Sequence, residues 1–216
     1  MKLEKLYSAD EFVRDYDLLL SGARILNAGS SSTRFGNNCV NVDIQDKPNV
    51  DLVADLHDLP EDIGPFDAII CNAVLQYCAQ PKVVIEQFQR ALVPDGLLFL
   101  EAPWVQPYCH DTDDLYRFSE LVLNQLLEDF DVVQSGPTVT PGSAFWMQGS
   151  FIAGSVSSNK YVSFALQKIT ETLLYPFRWV NTQNPSHTAG AHYVIARNTS
   201  KVSADSNVAP TADCGV

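Results

Sequence analysis

The sequence predicts an α/β fold in which helices cover both faces of a doubly wound, mostly parallel β-sheet, and three observations support this. Short apolar runs alternate with helical patterns through about residue 130, which is the order expected of βαβ units. The run "FDAIICNAVL" is apolar without alternation, as in a strand that is buried on both faces. The length of 216 residues and the hydrophobic content of 46% suit one domain with a substantial core.

The elements of the core follow in order. Ser8 and Glu11 form a capping box for a helix that stops near Gly22, so residues 1–22 are interpreted as an N-terminal helix. Residues 23–135 form the core domain. Strands are predicted at "RILNAG", "CVNVDI", "VDLVADL", "FDAIICNAVL" and "LLFLEAP", and helices at "QPKVVIEQFQRA", with Pro81 in its first turn, and at "SELVLNQLLEDF", with Ser119 as its cap.

The alternation breaks after residue 135. Residues 136–190 are interpreted as an insertion, in which a Gly/Ser-rich, aromatic stretch precedes one long helix, "YVSFALQKITETLLYPFRWV". We expect this insertion to act as a lid over an acceptor or as a homodimer contact through 137–190. Residues 191–198, "AHYVIARN", predict a last strand, and the small polar residues 199–216 predict a disordered tail.

Charge and cysteine content limit the classes of partner. The formal net charge of −12 disfavours nucleic acid and anionic lipid as partners, because both repel an acidic surface. Five scattered cysteines without a CxxC pair indicate neither a zinc site nor a disulfide framework. No signal peptide and no apolar run long enough to span a membrane is found. We therefore expect a cytoplasmic protein with reduced cysteines.

A small-residue loop joins the first two predicted strands. In "RILNAGSSSTRFGNNCVNVDI" a strand ends at Gly29 and the next strand carries Asp43 near its end, and such loops hold ligands against the backbone. A triphosphate would need GxxxxGK[ST] and a dinucleotide GxGxxG, and neither string is present. S-adenosylmethionine has no phosphate. It needs an acid after strand two for its ribose and a polar group after strand three for its adenine, where Asp43 and Asp55 lie.

The order and spacing of five motifs over residues 20–135 resemble the class I SAM-dependent methyltransferases of the small-molecule, type 11 sort. The stretches that carry the resemblance are "ILNAGSSS", "NVDI", "VDLVADLHDLP", "FDAIICN" and "HDTDDLYRF". The resemblance implies a Rossmann-like, seven-stranded sheet with an antiparallel last strand and S-adenosylmethionine as cofactor. Two departures stand out: Asn27 replaces the family's acid after strand one, and the glycine-rich loop is reduced to "GSSSTRFG".

The resemblance also implies roles for individual residues. Asn27 and Gly29 would lie at the methionine part of the cofactor, and Asn72 would line the methionine and substrate side. Asp43 would bind the ribose and Asp55 the adenine amino group. Beside these two acids, the side chain of Ile44 and the backbone of Leu56 would contact the adenine.

Methyl transfer to a hydroxyl also needs a base beyond strand five. His110 lies there in "HDTDDLYRF" and has a pKa range suited to proton removal near neutrality. Tyr116, Arg117 and Trp146 are predicted to line the acceptor pocket, and the adjacent acids are not expected to bind a metal.

The predicted function is methyl transfer to an O or N atom of a small metabolite or saccharide. The alternative is a non-catalytic SAM-binding or scaffold protein on the same fold, which the thin glycine loop and Asn27 suggest. A nucleotide-dependent oxidoreductase is disfavoured by the missing GxGxxG string.

Overall fold

The computed structural model describes residues 6–31, 33–109 and 113–199. They form one seven-stranded sheet with the strand order β3-β2-β1-β4-β5-β7-β6. Strand β7 runs antiparallel to both of its neighbours, and the β1–β2, β1–β4, β2–β3 and β4–β5 pairs are parallel. Strands β1 to β7 span Ile25–Ala28, Cys39–Asp43, Leu52–Val53, Phe66–Asn72, Leu92–Pro103, Phe130–Val139 and Ala191–Asn198. The predicted mostly parallel sheet with an antiparallel last strand is confirmed.

Five helices accompany the sheet in the described part of the chain. Helices α1 to α5 span Ala9–Asp15, Pro81–Ala91, Glu120–Leu126, Pro141–Ser155 and Lys160–Leu174, and three 3₁₀ helices span Leu75–Tyr77, Tyr175–Trp179 and Pro185–His187. Ser8 caps α1 and Ser119 caps α3, as predicted, and each hydroxyl accepts a hydrogen bond from a backbone N–H in the first turn. None of these helices is long and apolar enough to cross a bilayer.

The sheet carries a hydrophobic core on each face, because successive strand residues point to opposite sides. Leu26 of β1 packs with Val84 of α2 and Leu123 of α3 in one core. Ile25 packs with Phe12 of α1 in the other, where Phe12 lies 5.3 Å from the Phe99 ring. Helices α2 and α3 therefore cover one face and α1 the other.

The structure differs from the predicted elements in four places. The N-terminal helix stops at Asp15, well before Gly22. Strand β3 has only two residues, and β6 was not among the predicted strands. The insertion contains two helices instead of one. Thr140 caps the first of them, α4. The second, α5, is followed by a 3₁₀ helix in which Pro176 has no N–H to donate the hydrogen bond that would continue α5. The predicted tail lies outside the described residues beyond Thr199.

Candidate functional site

The register of the sheet brings the ends of three strands to one edge. Ala28 of β1 is level with Val42 of β2 and with Cys71 of β4. Gly29, Asp43 and Asn72, each the next residue along its chain, therefore lie side by side. The strand order also reverses between β1 and β4, and open α/β sheets bind ligands at such a switch point, beyond the carboxyl ends of the strands.

The glycine loop is tied tightly to β2. Gly29 has a φ of +70°, and the N–H groups of Gly29 and Ser30 both donate to the Val42 carbonyl, at 2.8 and 3.0 Å. A Cβ on Gly29 would collide with the side chain of Val74. Glycine is therefore required here both by the left-handed backbone and by the close approach of Val74.

Asp43 is buried at the end of β2, and its carboxylate organises the loop. It accepts hydrogen bonds from the backbone N–H groups of Ser31 and Gln45, both at 2.9 Å, and Lys47 Nζ lies 3.9 Å away. A carboxylate has about four acceptor positions, so two N–H donors leave capacity for the hydroxyl groups of a ligand. Ile44, the next residue, is 68% exposed and presents an apolar surface at the same edge.

Asp55 lies two residues beyond β3 and is bonded within the protein. Its Oδ1 accepts from the His57 backbone N–H at 2.9 Å and lies 2.6 Å from the His57 ring Nδ1. The pKa of the Asp55 carboxyl is lowered, first by that backbone bond and then by the ring contact. Gln80 N donates to His57 Nε2 at 3.2 Å, which places the ring proton on Nδ1. His57 therefore links Asp55 to the start of α2, a contact that sequence reasoning missed. Leu56 between them is buried.

Three buried side-chain oxygens near this edge have no hydrogen-bond partner within the described part of the chain: Ser30 Oγ, Asn72 Oδ1 and Gln76 Oε1. Ser30 follows Gly29, and Gln76 lies in the 3₁₀ helix that follows β4. Buried polar atoms are rarely left unpaired, so these oxygens mark positions suited to a polar ligand with N–H or O–H donors. Ser30 was missed from the sequence. The one sequence feature that could have indicated it is a serine directly after the glycine that ends the first strand.

The Asn27 amide nitrogen is bonded within the protein. Its Nδ2 donates to the Thr33 carbonyl at 2.8 Å and to Asn41 Oδ1 at 3.2 Å. Both amide hydrogens are thus used to hold the loop against β2. Asn27 is buried within β1.

The segment after β5 was expected to supply the base and part of the acceptor pocket. His110 lies outside the described residues. Arg117 donates to Asp114 Oδ2 at 2.6 Å and to the carbonyls of Pro107 and Tyr116, at 3.0 and 2.8 Å. The hydrogen bond from Arg117 lowers the pKa of Asp114. These contacts make Arg117 an anchor of the segment.

Two further residues expected at the acceptor pocket also have contacts within the protein. Tyr116 Oη donates to the Ala79 carbonyl at 3.0 Å, and its ring is partly exposed. Trp146 is buried in the insertion, where its Nε1 donates to the Glu171 carbonyl at 2.8 Å. The contacts of Trp146 are those of a core residue of the insertion.

A cleft of about 590 Å³ opens beside the end of β5, and it was not anticipated from the sequence. Strand β5 lies between β4 and β7, so the cleft adjoins the edge that holds Asn72. Its lining combines an indole, two imidazoles, a carboxylate and several hydroxyl or amide groups from Trp104, Ser119, Glu120, Leu121, Asn124, Ser186, His187 and His192. The ring nitrogens of His192 face the carbonyls of Ser186 and Phe118, at 2.9 and 3.4 Å.

Comparisons with solved structures identify the fold. The 1,6-didemethyltoxoflavin-N1-methyltransferase of Burkholderia thailandensis, with bound 1,6-didemethyltoxoflavin and S-adenosylhomocysteine, is 16% identical, with a TM-score of 0.53 over 88% of this chain and 76% of that one. A SAM-dependent methyltransferase from Archaeoglobus fulgidus is 14% identical, with a TM-score of 0.53 over 87% and 91%. The cyclase SpnF is 15% identical, with a TM-score of 0.52 over 87% and 82%. Identities this low show the fold alone.

A comparison with protein families matches part of the core domain. No curated protein matches the chain. Residues 28–100, from the last residue of β1 to the last third of β5, match the family described as "Methyltransferase domain". This part of the chain is therefore similar to methyltransferase domains, and the sheet has the fold of SAM-dependent methyltransferases.

Proposed function

We propose that the protein binds S-adenosylmethionine at the ends of β1, β2 and β4 and transfers its methyl group to an O or N atom of a small metabolite or saccharide. The observation that carries this proposal is the grouping of Asp43, the exposed Ile44 and three unpaired buried oxygens at the switch point of the sheet. This donor and acceptor set fits the cofactor, which has ribose hydroxyls, an apolar adenine face and an ammonium group.

Each group of the site receives one role in this proposal. The free acceptor positions of Asp43 bind the ribose hydroxyls, and Ile44 packs against the adenine ring. The oxygens of Ser30, Asn72 and Gln76 accept hydrogen bonds from the methionine ammonium group, with Gly29 beneath it. Asp55 and the Leu56 backbone border the adenine. The Asp55 side chain is half-exposed, and its Oδ2 makes no hydrogen bond with His57.

Bound at this edge, S-adenosylmethionine would supply an electrophilic methyl group on its sulfonium. The protein then has to orient the acceptor and, for a hydroxyl acceptor, hold or remove a proton. We assign the acceptor to the cleft beside Trp104, where an indole and several polar groups suit a hydroxylated molecule. His110 remains our proposed base, because it is the only histidine between β5 and α3. Neither Arg117 nor Trp146 retains an acceptor role in this proposal.

A second candidate is a non-catalytic cofactor-binding protein on the same fold. It is favoured by Val74, whose side chain fills the space over Gly29, and by the absence of a helix in the described part of the loop after it. Folds of this kind host more than one function.

A turnover assay distinguishes the two candidate functions. If the protein is a methyltransferase, labelled cofactor should transfer its methyl group to a member of a saccharide and metabolite panel. His110→Ala should then lose turnover while keeping its affinity for the cofactor.

The proposed cofactor site is tested by calorimetric titration with S-adenosylmethionine, S-adenosylhomocysteine and NAD. We expect the first two to bind. Asp43→Asn should weaken both about 10- to 100-fold, since each hydrogen bond to a charged group contributes about 1.5–3 kcal/mol. Asp46→Asn, an exposed acid three residues on, is the matched control and should bind normally. Unchanged affinity in folded Asp43→Asn, or binding of NAD alone, would refute the assignment.

We also propose a cytoplasmic location. Cys39, Cys71 and Cys78 are buried free thiols, and burial raises the pKa of Cys78 to about 11. Such thiols behave as small core residues, as is usual in reducing compartments. Cys214 lies outside the described residues.

A further inference from the structure

The insertion forms a two-helix unit whose polar contacts face inward. Helices α4 and α5, with the 3₁₀ helix Tyr175–Trp179 and Val180, make up residues 141–180, which we call the hairpin. On the side where the two helices meet, Ser163 donates to the Gly154 carbonyl and Trp146 Nε1 donates to the Glu171 carbonyl. Gln167 Nε2 donates to Glu171 Oε1 at 3.2 Å. The polar side chains of α5 are thus largely used within the hairpin.

The outer surface of the hairpin is apolar. Thirteen of the twenty-five exposed large hydrophobic side chains of the described chain lie in these forty residues. Tyr161 and Leu173 of α5 are 74% and 69% exposed, and no residue of α5 is buried. The other eleven are Phe145, Phe151, Ile152, Val156, Val162, Phe164, Ile169, Tyr175, Phe177, Trp179 and Val180. A concentration of this kind marks an interaction surface, since singly scattered apolar side chains are the norm elsewhere.

The charge of the hairpin is opposite to that of the rest of the protein. It contains Lys160, Lys168 and Arg178 but only one acid, Glu171, in a chain of net charge −12. Glu171 is paired with Lys168 at 2.7 Å. The Lys160 and Lys168 ammonium groups lie 5.1 and 5.7 Å from the ring centres of Tyr161 and Phe164. Cations therefore sit beside aromatic rings on an apolar surface.

This combination favours a lipid bilayer over a second copy of the chain. Interfacial helices place aromatic and aliphatic residues in the acyl boundary and lysines at the lipid phosphates, and aromatic rings concentrate at the headgroup level. A twofold contact through α5 would instead bring the same cations of two copies close together, with a single paired acid on each to offset them.

We propose that the hairpin is a docking surface for a lipid bilayer with anionic headgroups. The exposed Lys160 and Lys168 side chains are attracted to the anionic surface. The acidic core domain is repelled from it, so the attraction and the repulsion together orient the molecule. The chain leaves the sheet for the hairpin after Val139 and re-enters it at Ala191, which is level with Pro103 at the end of β5. The hairpin is therefore connected to the same edge of the sheet as the candidate site. The docking surface does not depend on methyl transfer.

The experiment is flotation of the full-length protein with vesicles of phosphatidylcholine, with and without phosphatidylglycerol. The wild type should float with the anionic vesicles. Phe164→Gln combined with Ile169→Gln removes two exposed apolar contacts and should lower vesicle binding at least tenfold. Leu20→Gln, at a 90% exposed leucine outside the hairpin, is the matched control and should bind as the wild type does.

A charge variant tests the electrostatic part of the proposal. Lys160→Gln combined with Lys168→Gln should weaken binding to anionic vesicles several-fold and leave binding to neutral vesicles unchanged. Failure of the wild type to float with anionic vesicles overturns the proposal, and light scattering then shows whether the hairpin forms a homodimer instead. Binding that persists in both hairpin variants overturns it as well, since another surface would be responsible.

Discussion

At the scale of single residues, the side chain of Ile44 makes no contribution to the hydrophobic core. It is apolar and 68% exposed, yet it follows the buried Asp43 directly. An exposed side chain adds little to the free energy of folding. A contact with an adenine ring would bury it and give it a function.

This contact leads to a prediction for Ile44→Gln. The melting temperature should stay unchanged, because the wild-type side chain is already in solvent, while affinity for S-adenosylhomocysteine should fall about 5- to 30-fold with the lost apolar contact. Calorimetry and thermal denaturation measure the two effects separately. A variant that loses stability but binds normally would show that Ile44 packs within the protein.

Sequence reasoning was strongest for residues whose position follows from strand register. Asp43 and Gly29 follow recognisable strands, and parallel strands place their ends at one edge. It was weaker for side chains whose partners are distant in sequence. The link from His57 to Gln80 and the anchoring of the β5–α3 segment by Arg117 depend on which groups the fold brings together. No local pattern encodes these contacts.

At the scale of elements, the hairpin shows why a Gly/Ser-rich stretch can be helical. In α4, small residues let the backbone of a neighbouring segment approach closely. The N–H of Gly142 donates to the Val180 carbonyl at 3.0 Å, and Thr140 and Ser143 both donate to the Arg178 carbonyl. Tertiary contacts here override the weak helix propensity of glycine and serine.

Gly142→Ala should therefore loosen the base of the hairpin. An added Cβ would collide with the Phe177 carbonyl and lie 2.8 Å from the Val180 carbonyl, which costs about 1–3 kcal/mol as for other overpacked sites. Hydrogen exchange should rise across residues 140–180 and stay unchanged in the sheet. Gly154→Ala in the same helix is the control, because its Cβ meets only the flexible Gln167 side chain. Equal protection in both variants would contradict this packing.

At the scale of the whole molecule, charge is distributed unevenly between the hairpin and the core domain. Averaged over the chain, a charge of −12 predicts repulsion from anionic surfaces. The hairpin alone carries three cations and one acid, and the fold sets it apart from the acidic core domain. A sum over the sequence does not report where charges lie in space.

The pH dependence of stability also belongs to the whole molecule. Hydrogen bonds lower the pKa values of Asp51, Asp55 and Asp114 below their ordinary range. The unfolded chain then binds more protons than the native one at acidic pH, so stability is full above about pH 4 and is lost as the pH falls through the lowered values. Melting temperatures should fall steeply below about pH 4.

Arg117→Gln provides the variant that checks this cause. Without the guanidinium group, the pKa of Asp114 returns toward its unfolded value, and the acid side of the stability profile should become shallower. At neutral pH the variant should lose about 2 kcal/mol, because the Asp114 side chain is buried in the pair. Arg14→Gln, which breaks an exposed pair with Asp15, should leave the profile as it is. If the pH profiles of stability of both variants ran parallel to that of the wild type, Asp114 would be excluded as a cause of the loss of stability at acidic pH.

The sequence by itself determined the α/β class, most of the strands, the antiparallel last strand through its family resemblance, and the residues at the ends of β1, β2 and β4. These follow from hydrophobic periodicity, capping residues and strand order, all of which are local or nearly local. Only the tertiary structure decided that Asn27 holds the loop, that Arg117 anchors a segment, that oxygens near the candidate site are left unpaired, and that the insertion turns its apolar side outward. These properties depend on contacts between residues that are distant in sequence. No short stretch of sequence determines which side chains are buried or which polar groups pair.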